Sequence, residues 1–314
     1  MEQKELRQLQ NSVEIVGTLK SKNLEPKVSK KGKGYMSGDL TVVTKDGDKI
    51  NEHRIKIFIM ESSKLYKGIE TVRKEYVSIE EATTEKPADR IRVTGELTLN
   101  EYYNKTGDLV AFNEIKGVFF NRLEDDTPDR ALASIETVIE EFQDELDSDG
   151  LPTGVKKVKA FTVAWGNTVV EFKKAIVKDE LAEGMMNLYQ PNSTGRLSFK
   201  LNNYVEKVEV EAAAETNVQH GFGSQETVEP SVINNFTNNI EIIGGDIPFF
   251  GSKEYTIEEI EEAQKTRKLA LQLLESPAPE APPVNTGFGT NGTTPPPTDS
   301  GDPFTGNADM PDFW

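Results

Sequence analysis

Arg54, Lys56 and Phe58 alternate with Ile55, Ile57 and Ile59 in one short stretch of the chain. An extended backbone sends successive side chains to opposite faces, so the isoleucines define a buried side, and the two cations and the ring share the other. The same parity sets Arg90 and Arg92 against Ile91 and Val93, and Tyr35 and Thr41 against Leu40 and Val42. Just before Tyr35, Lys30, Lys31 and Lys33 lie on a glycine-containing loop, and Tyr102 and Tyr103 precede a turn at Asn104–Asp108. Cations interleaved with flat rings suit a polyanion with unpaired bases. Ammonium and guanidinium groups follow phosphates, and each ring that stacks on a base contributes about 1–3 kcal/mol whatever the base.

Other chemistry is sparse. There is no Cys, and His53 and His220 are the only two His, which removes disulfides, thiol nucleophiles and thiolate metal sites and leaves too few imidazoles for a zinc centre. No G-x-x-x-x-G-K-[ST] phosphate loop occurs. Gly287, Gly289 and Gly292 fit a G-x-G-x-x-G spacing, but they follow no strand and open no helix, so no dinucleotide site is read there. The densest carboxylate run, Glu258–Glu262, belongs to a capping-box pattern at Thr256-Ile257-Glu258-Glu259, where acidic side chains favour the positive end of a helix. No catalytic group, metal or cofactor is expected, and the chain reads as a non-enzyme.

The candidate residues need a frame. Between residues 12 and 123 apolar positions mostly alternate: Val13, Ile15 and Leu19; Leu40 and Val42; Ile55, Ile57 and Ile59; Ile91, Val93, Leu97 and Leu99; then Leu109–Phe120. Each reads as a half-buried antiparallel strand, and turn signals at Lys31–Gly34, Asp46–Asp48 and Asn104–Asp108 separate them. The less regular Glu61–Glu75 has room for a helix between the third and fourth strands. Five strands with a helix in that place is the element order of an OB-fold barrel.

Residues 131–211 repeat this order more loosely. Val155–Trp165, Thr168–Lys178 and Gly195–Tyr204 are β-branched and alternating, Gly166-Asn167 makes a tight turn, and Asp179–Tyr189 fits a short helix. Ala133–Leu146 fits either a helix or a strand and is assigned here to the first strand of a second barrel. Lys157, Lys159, Phe161, Val163 and Trp165 share one parity. Either the rings fill the barrel interior, or they form a second stacking platform, an option that Lys173, Lys174, Arg196 and Lys200 keep open. Residues 212–250 are polar and Asn-rich and read as a linker. The helix that follows carries Ile257, Ile260, Ala263, Leu271 and Leu274 along one stripe.

Charge follows the same division. The net formal charge is −17, yet residues 1–123 carry 22 basic and 19 acidic side chains, and residues 151–211 carry nine and seven. Phosphate binding depends on the local field, so an anionic whole does not exclude a polyanionic partner. The N-terminal sequence lacks the apolar core of a signal peptide, and no run of ~18 apolar residues occurs, so a soluble cytoplasmic protein without a membrane partner is expected. Residues 277–314 hold nine of the 16 prolines and no Lys or Arg, too little apolar surface to offset chain entropy, and read as a disordered acidic tail. Its tip, Asp309, Met310, Pro311, Asp312, Phe313 and Trp314, fits a short linear motif for an apolar pocket with a basic rim.

The run from Arg92 to Leu109 has the pattern V-x-G-x-L-x-x-N-x-Y followed by a K-x-G turn, at Val93, Gly95, Leu97, Asn100, Tyr102, Lys105 and Gly107. It resembles the fourth strand and hairpin of the single-stranded DNA-binding proteins, of the bacteriophage kind, and Met36–Ile59 resembles their second and third strands. The acidic, Pro/Gly-rich tail with its aromatic tip is similar to theirs, although it ends in Phe-Trp rather than Pro-Phe. Asp246-Ile247-Pro248-Phe249-Phe250 resembles such a tip placed mid-chain. The resemblance implies sequence-tolerant binding of single-stranded DNA in replication, recombination and repair, and recruitment of replication or recombination proteins by the tip. Bacterial members usually carry one barrel per chain and four chains per assembly, so two barrels here leave homo-oligomerisation open.

The expected organisation is therefore mainly β. An OB-fold single-strand-binding domain occupies 1–123, a second OB-like domain 124–211, a polar linker 212–250, a helix 251–276 and a disordered acidic tail 277–314. Single-stranded DNA is the expected partner, held by Lys30, Lys31, Lys33, Tyr35, Arg54, Lys56, Phe58, Arg90, Arg92, Tyr102, Tyr103, Lys157, Lys159 and Trp165. RNA is a further option, since OB barrels take either nucleic acid. A different reading makes the chain an assembly protein whose lysines merely solvate its surface.

Overall fold

Asn11–Val28 form strand β1, 18 residues long and able to serve three neighbours. In the computed structural model, which describes residues 5–124, 127–210 and 231–275, its first half lies between β4 (Arg90–Tyr103) and β6 (Arg130–Leu146). Past a bulge at Leu19/Ser21 its second half pairs with β2 (Gly34–Asp46). Gly38 of β2 has φ +142°, and a Cβ there would sit 1.8 Å from the Asn23 carbonyl oxygen of β1, so only glycine permits this approach. β2 turns into β3 (Lys49–Met60), α1 (Tyr66–Glu75) follows, and β5 (Leu109–Leu123) pairs in parallel with β3 and antiparallel with β4. The ring closes as β1-β2-β3-β5-β4-β1.

A second ring repeats this order. It runs β6, β7 (Pro152–Ala164), β9 (Ala175–Val177), β11 (Ser231–Gly245), β10 (Thr194–Val210) and back to β6, again with a parallel pairing of third and fifth strands. Helix α2 (Asp179–Leu188) occupies the place of α1, and β8 (Thr168–Glu171) folds back on β7 through a turn where Gly166 and Asn167 both have positive φ. The architecture is thus mainly β, two five-stranded OB-fold barrels followed by helix α3 (Ile257–Glu275). β1 and β6 pair from Asn11 opposite Ile135 to Val16 opposite Arg130, so the two barrels share one sheet.

Alternation places the cores. Val13, Ile15, Leu40, Ile55 and Ile91 fill the first barrel, and Ile139, Val158, Leu197, Phe199 and Ile240 the second. A smaller core outside the second barrel joins Leu6, Leu9, Phe161, Val163 and Val169 to Tyr255, Ile260 and Ala263. The capping box opens α3 as its residues require: Thr256 N–H donates to Glu259 Oε2 at 2.9 Å, and Glu259 N–H donates to Thr256 Oγ1 at 3.2 Å.

Three expectations are corrected. Residues 231–245 are not linker but β11, the fifth strand of the second barrel, which therefore extends beyond residue 211. Ile240 and Ile242 are buried, whereas the Asn-rich run 234–239 before them lies in a two-stranded ribbon with β10, is polar except for Phe236, and does not read as a strand. Thr168–Lys178 is two strands, broken where Phe172 turns into the core. The buried stripe of α3 comprises Ile260, Ala263 and Arg267, while Ile257 is exposed. Residues 211–230 of the expected linker and the tail with its tip at 309–314 lie outside the described residues. Among the described residues no helix is long and apolar enough to cross a membrane.

Candidate nucleic-acid interface

On β3, Ile55, Ile57 and Ile59 are buried, and Arg54, Lys56 and Phe58 face outward. Register then fixes their neighbours. Phe58 stands opposite Ser37, Lys56 opposite Asp39 and Arg54 opposite Thr41 on β2. The Tyr35 ring lies 5.2 Å from that of Phe58, tilted by 39°, and Phe58 keeps 46% of its surface exposed. The parallel pairing of β3 with β5 sets Lys116 beside Lys56, and among the described residues neither ammonium has a carboxylate partner. Arg54 donates to Asp39 Oδ2 at 2.7 Å, a bond that stabilises its charged form while leaving the side chain largely exposed.

The β4–β5 hairpin frames the other side of this face. Tyr102 is 48% exposed and meets Phe112 edge to face, with ring centres 6.5 Å apart. Its turn is held by the Asn104 side-chain oxygen, which accepts from the amides of Thr106 and Asp108 at 3.0 and 2.8 Å. Between β1 and β2, Lys30, Lys31 and Lys33 are exposed on a loop closed by Ser29 N–H donating to the Lys33 carbonyl. The sheet order β2-β3-β5-β4 therefore gives one outward side bearing Tyr35, Phe58, Lys56, Lys116, Phe112 and Tyr102.

Other expected residues lie elsewhere. Arg90 is half-buried and donates to the Thr127 carbonyl and to Asp129. Arg92 Nε lies 3.3 Å from Glu14, which also receives Arg130 at 2.5 Å. Both arginines point outward, as parity requires, but at the end of β4 that pairs with β1, where carboxylates occupy them. Tyr103 follows Tyr102 directly and so turns to the opposite face of the hairpin, half-buried.

In the second barrel, Lys157 and Lys159 are exposed on β7, with Glu145 3.5 Å from Lys157. Phe161 and Val163 have the same parity, yet they fill neither the barrel interior nor a platform, because α3 and the N-terminal segment cover them. Trp165 is 60% exposed at the β7–β8 turn. A groove of about 460 Å³ is lined by Lys157, Lys159, Lys173 and Lys174 and by Phe236 of β11, itself 77% exposed. Sequence reasoning passed over Phe236, Phe112 and Lys116. The last two alternate with buried Ile115 and were legible by parity, whereas Phe236 was hidden in the expected linker. His53 is buried with Thr44 Oγ1 at 3.1 Å, and burial lowers its pKa to about 4. No cluster of metal-binding side chains occurs among the described residues.

Tandem OB-fold barrels with cations and rings on an open face thus define the class. The chain belongs to the YorF family, whose model matches residues 10–277. No curated protein matches it. Among solved structures, the wild-type single-stranded DNA binding protein from Thermus aquaticus is 13% identical, with 80% of this chain and 98% of that chain covered and a TM-score of 0.48. A deletion mutant of that protein gives 14%, 79%, 99% and 0.45. The SSB of Plasmodium falciparum in complex with ssDNA is 15% identical over 40% of this chain and all of that chain, with a TM-score of 0.25.

Proposed function

We propose that this chain is a non-enzymatic, sequence-tolerant single-stranded DNA-binding protein that acts in DNA replication, recombination and repair in a cytoplasm-like compartment. The observation that carries this reading is the outward side of β2-β3-β5-β4, where two ring pairs, Tyr35 with Phe58 and Tyr102 with Phe112, flank the ammonium groups of Lys56 and Lys116. Rings held in pairs by the sheet are already ordered for stacking, and ammonium groups without carboxylate partners are available to phosphates. Lys30, Lys31 and Lys33 add cations from the neighbouring loop, and Lys157, Lys159 and Trp165 extend the surface to the second barrel. The acidic tip at 309–314 recruits replication or recombination proteins. Deleting it leaves DNA affinity equal or higher and removes a protein interaction.

A titration of labelled oligo-dT in low salt tests the central reading. Binding is expected to weaken steeply with salt, with a log–log slope of about −0.7 per phosphate neutralised on a single strand. No binding at low salt would overturn it, and competition with a matched RNA oligomer decides between the two nucleic acids. A second reading, in which the barrels serve only assembly, draws on the carboxylates that already occupy Arg54, Arg90 and Arg92. It predicts a flat titration.

A further inference from the structure

The β4–β5 hairpin outgrows its barrel. Pairing of β4 with β1 ends at Gly95, and pairing of β5 with β3 is confined to Ile115 and Lys116. From Leu99 to Asn113 the hairpin is a two-stranded ribbon, a structure that is marginal in water on its own. Yet this ribbon carries Tyr102 and Phe112. On its opposite face it is tied to the second barrel and to α3. Asn113 Nδ2 donates to the Glu171 carbonyl at 2.7 Å, and the Lys173 amide donates to Asn113 Oδ1 at 2.8 Å. Arg267 of α3 grips Glu101 with both terminal nitrogens, one of them 2.6 Å from Oε2, and its Nε lies 3.1 Å from Glu171. The Arg267 and Glu101 side chains are 9% and 7% exposed.

A buried ion pair of this kind is weak evidence for stability, since apolar replacements often do as well. What the planar, two-pronged guanidinium supplies is direction. It joins three elements far apart in sequence, α3, β4 and β8, at the residue next to Tyr102.

We propose that Arg267 is a positioning residue for single-strand capture, fixing the β4–β5 hairpin so that Tyr102 and Phe112 stand ready to receive bases. This rests on the single-strand reading above. With the guanidinium gone, Glu101 and Glu171 share a single cation among the described residues, Lys173. Its ammonium pairs with Glu171 and stays 3.9 Å from Glu101, too far to hold the strand, and the hairpin moves off the second barrel. If it is then correctly placed about a tenth of the time, apparent affinity falls about tenfold.

The test uses the full chain and two readouts, affinity for labelled oligo-dT and amide hydrogen exchange across residues 99–113. Arg267→Met is expected to accelerate exchange in that segment while the barrel strands stay protected, and to weaken binding about tenfold. Arg267→Lys keeps the charge without the fork and falls between. The exchanged pair Glu101→Arg with Arg267→Glu, made together with Glu171→Gln so that the new carboxylate meets no like charge there, recovers affinity and protection over Arg267→Met. Unchanged hairpin exchange or unchanged affinity in Arg267→Met overturns the inference, and so does loss of affinity without recovery in the exchanged pair. If Arg267→Met fails to fold, Arg267→Lys and the exchanged pair decide by the same two readouts. Should the wild type ignore oligo-dT, the single-strand reading fails, and hydrogen exchange still reports whether Arg267 holds the hairpin.

Discussion

Phe58 and Tyr102 belong to different strands and different ring pairs, so their contributions to binding are separable. Phe58→Ala and Tyr102→Ala are each expected to lose about 1–3 kcal/mol of oligo-dT affinity, the worth of one stacked base. Tyr103→Ala, one residue away on the other face of the hairpin, loses clearly less, and anisotropy titrations of the three variants check the order. Equal losses at Tyr102 and Tyr103 would mean that the rings act through the fold. His53 titrates rather than binds. Unfolded, its imidazole takes a proton near its ordinary pKa of 6.5, whereas the folded protein resists until about 4. The unfolded state therefore binds more protons between those values, so this residue's contribution to stability is complete above about pH 6.5 and is lost as pH falls towards 4. Urea midpoints from pH 7 to 5 are expected to decline less steeply in His53→Gln than in the wild type.

At the scale of elements, α3 depends on a small core that period-two reading could not assign. Phe161 is 2% exposed, and truncating it to alanine is expected to destabilise the protein by about 3–5 kcal/mol, read as a lower denaturation midpoint. Thr256→Ala removes the reciprocal cap and costs about 1 kcal/mol. The cap was legible because its residues are neighbours in sequence, as were the outward face of β3 and the Gly166-Asn167 turn. Phe161 was ambiguous because parity tells which side of a strand a ring occupies and not what covers that side. Arg90 and Arg92 failed for a related reason, since their carboxylate partners Asp129 and Glu14 lie on elements brought near only by the closed sheet. β11 was missed because the Asn-rich run 234–239 interrupts its apolar residues before Ile240 and Ile242 reach the barrel.

At the scale of the whole molecule, the question is whether one strand engages both barrels. The barrels are pinned together by the β1–β6 pairing, by Asn113 against Glu171 and Lys173, and by Arg267 against Glu101 and Glu171, so their surfaces hold a fixed relation. Lys159 and Lys174 in the second groove have no carboxylate partner among the described residues. An OB fold covers roughly 4–16 nucleotides, so affinity that stops rising within one fold's span would mean that a single barrel does the binding. Both barrels acting on one strand predicts instead that affinity for oligo-dT keeps rising past that span. It also predicts that Lys159→Glu with Lys174→Glu abolishes the further rise while leaving the shortest binding oligomers unaffected. The salt slope separates this from a general charge effect. Each phosphate no longer neutralised lowers the slope by about 0.7, so the double variant should lose slope on long oligomers and keep it on short ones. A uniform loss at every length would place those lysines in the long-range field of an anionic protein rather than on the path of the strand.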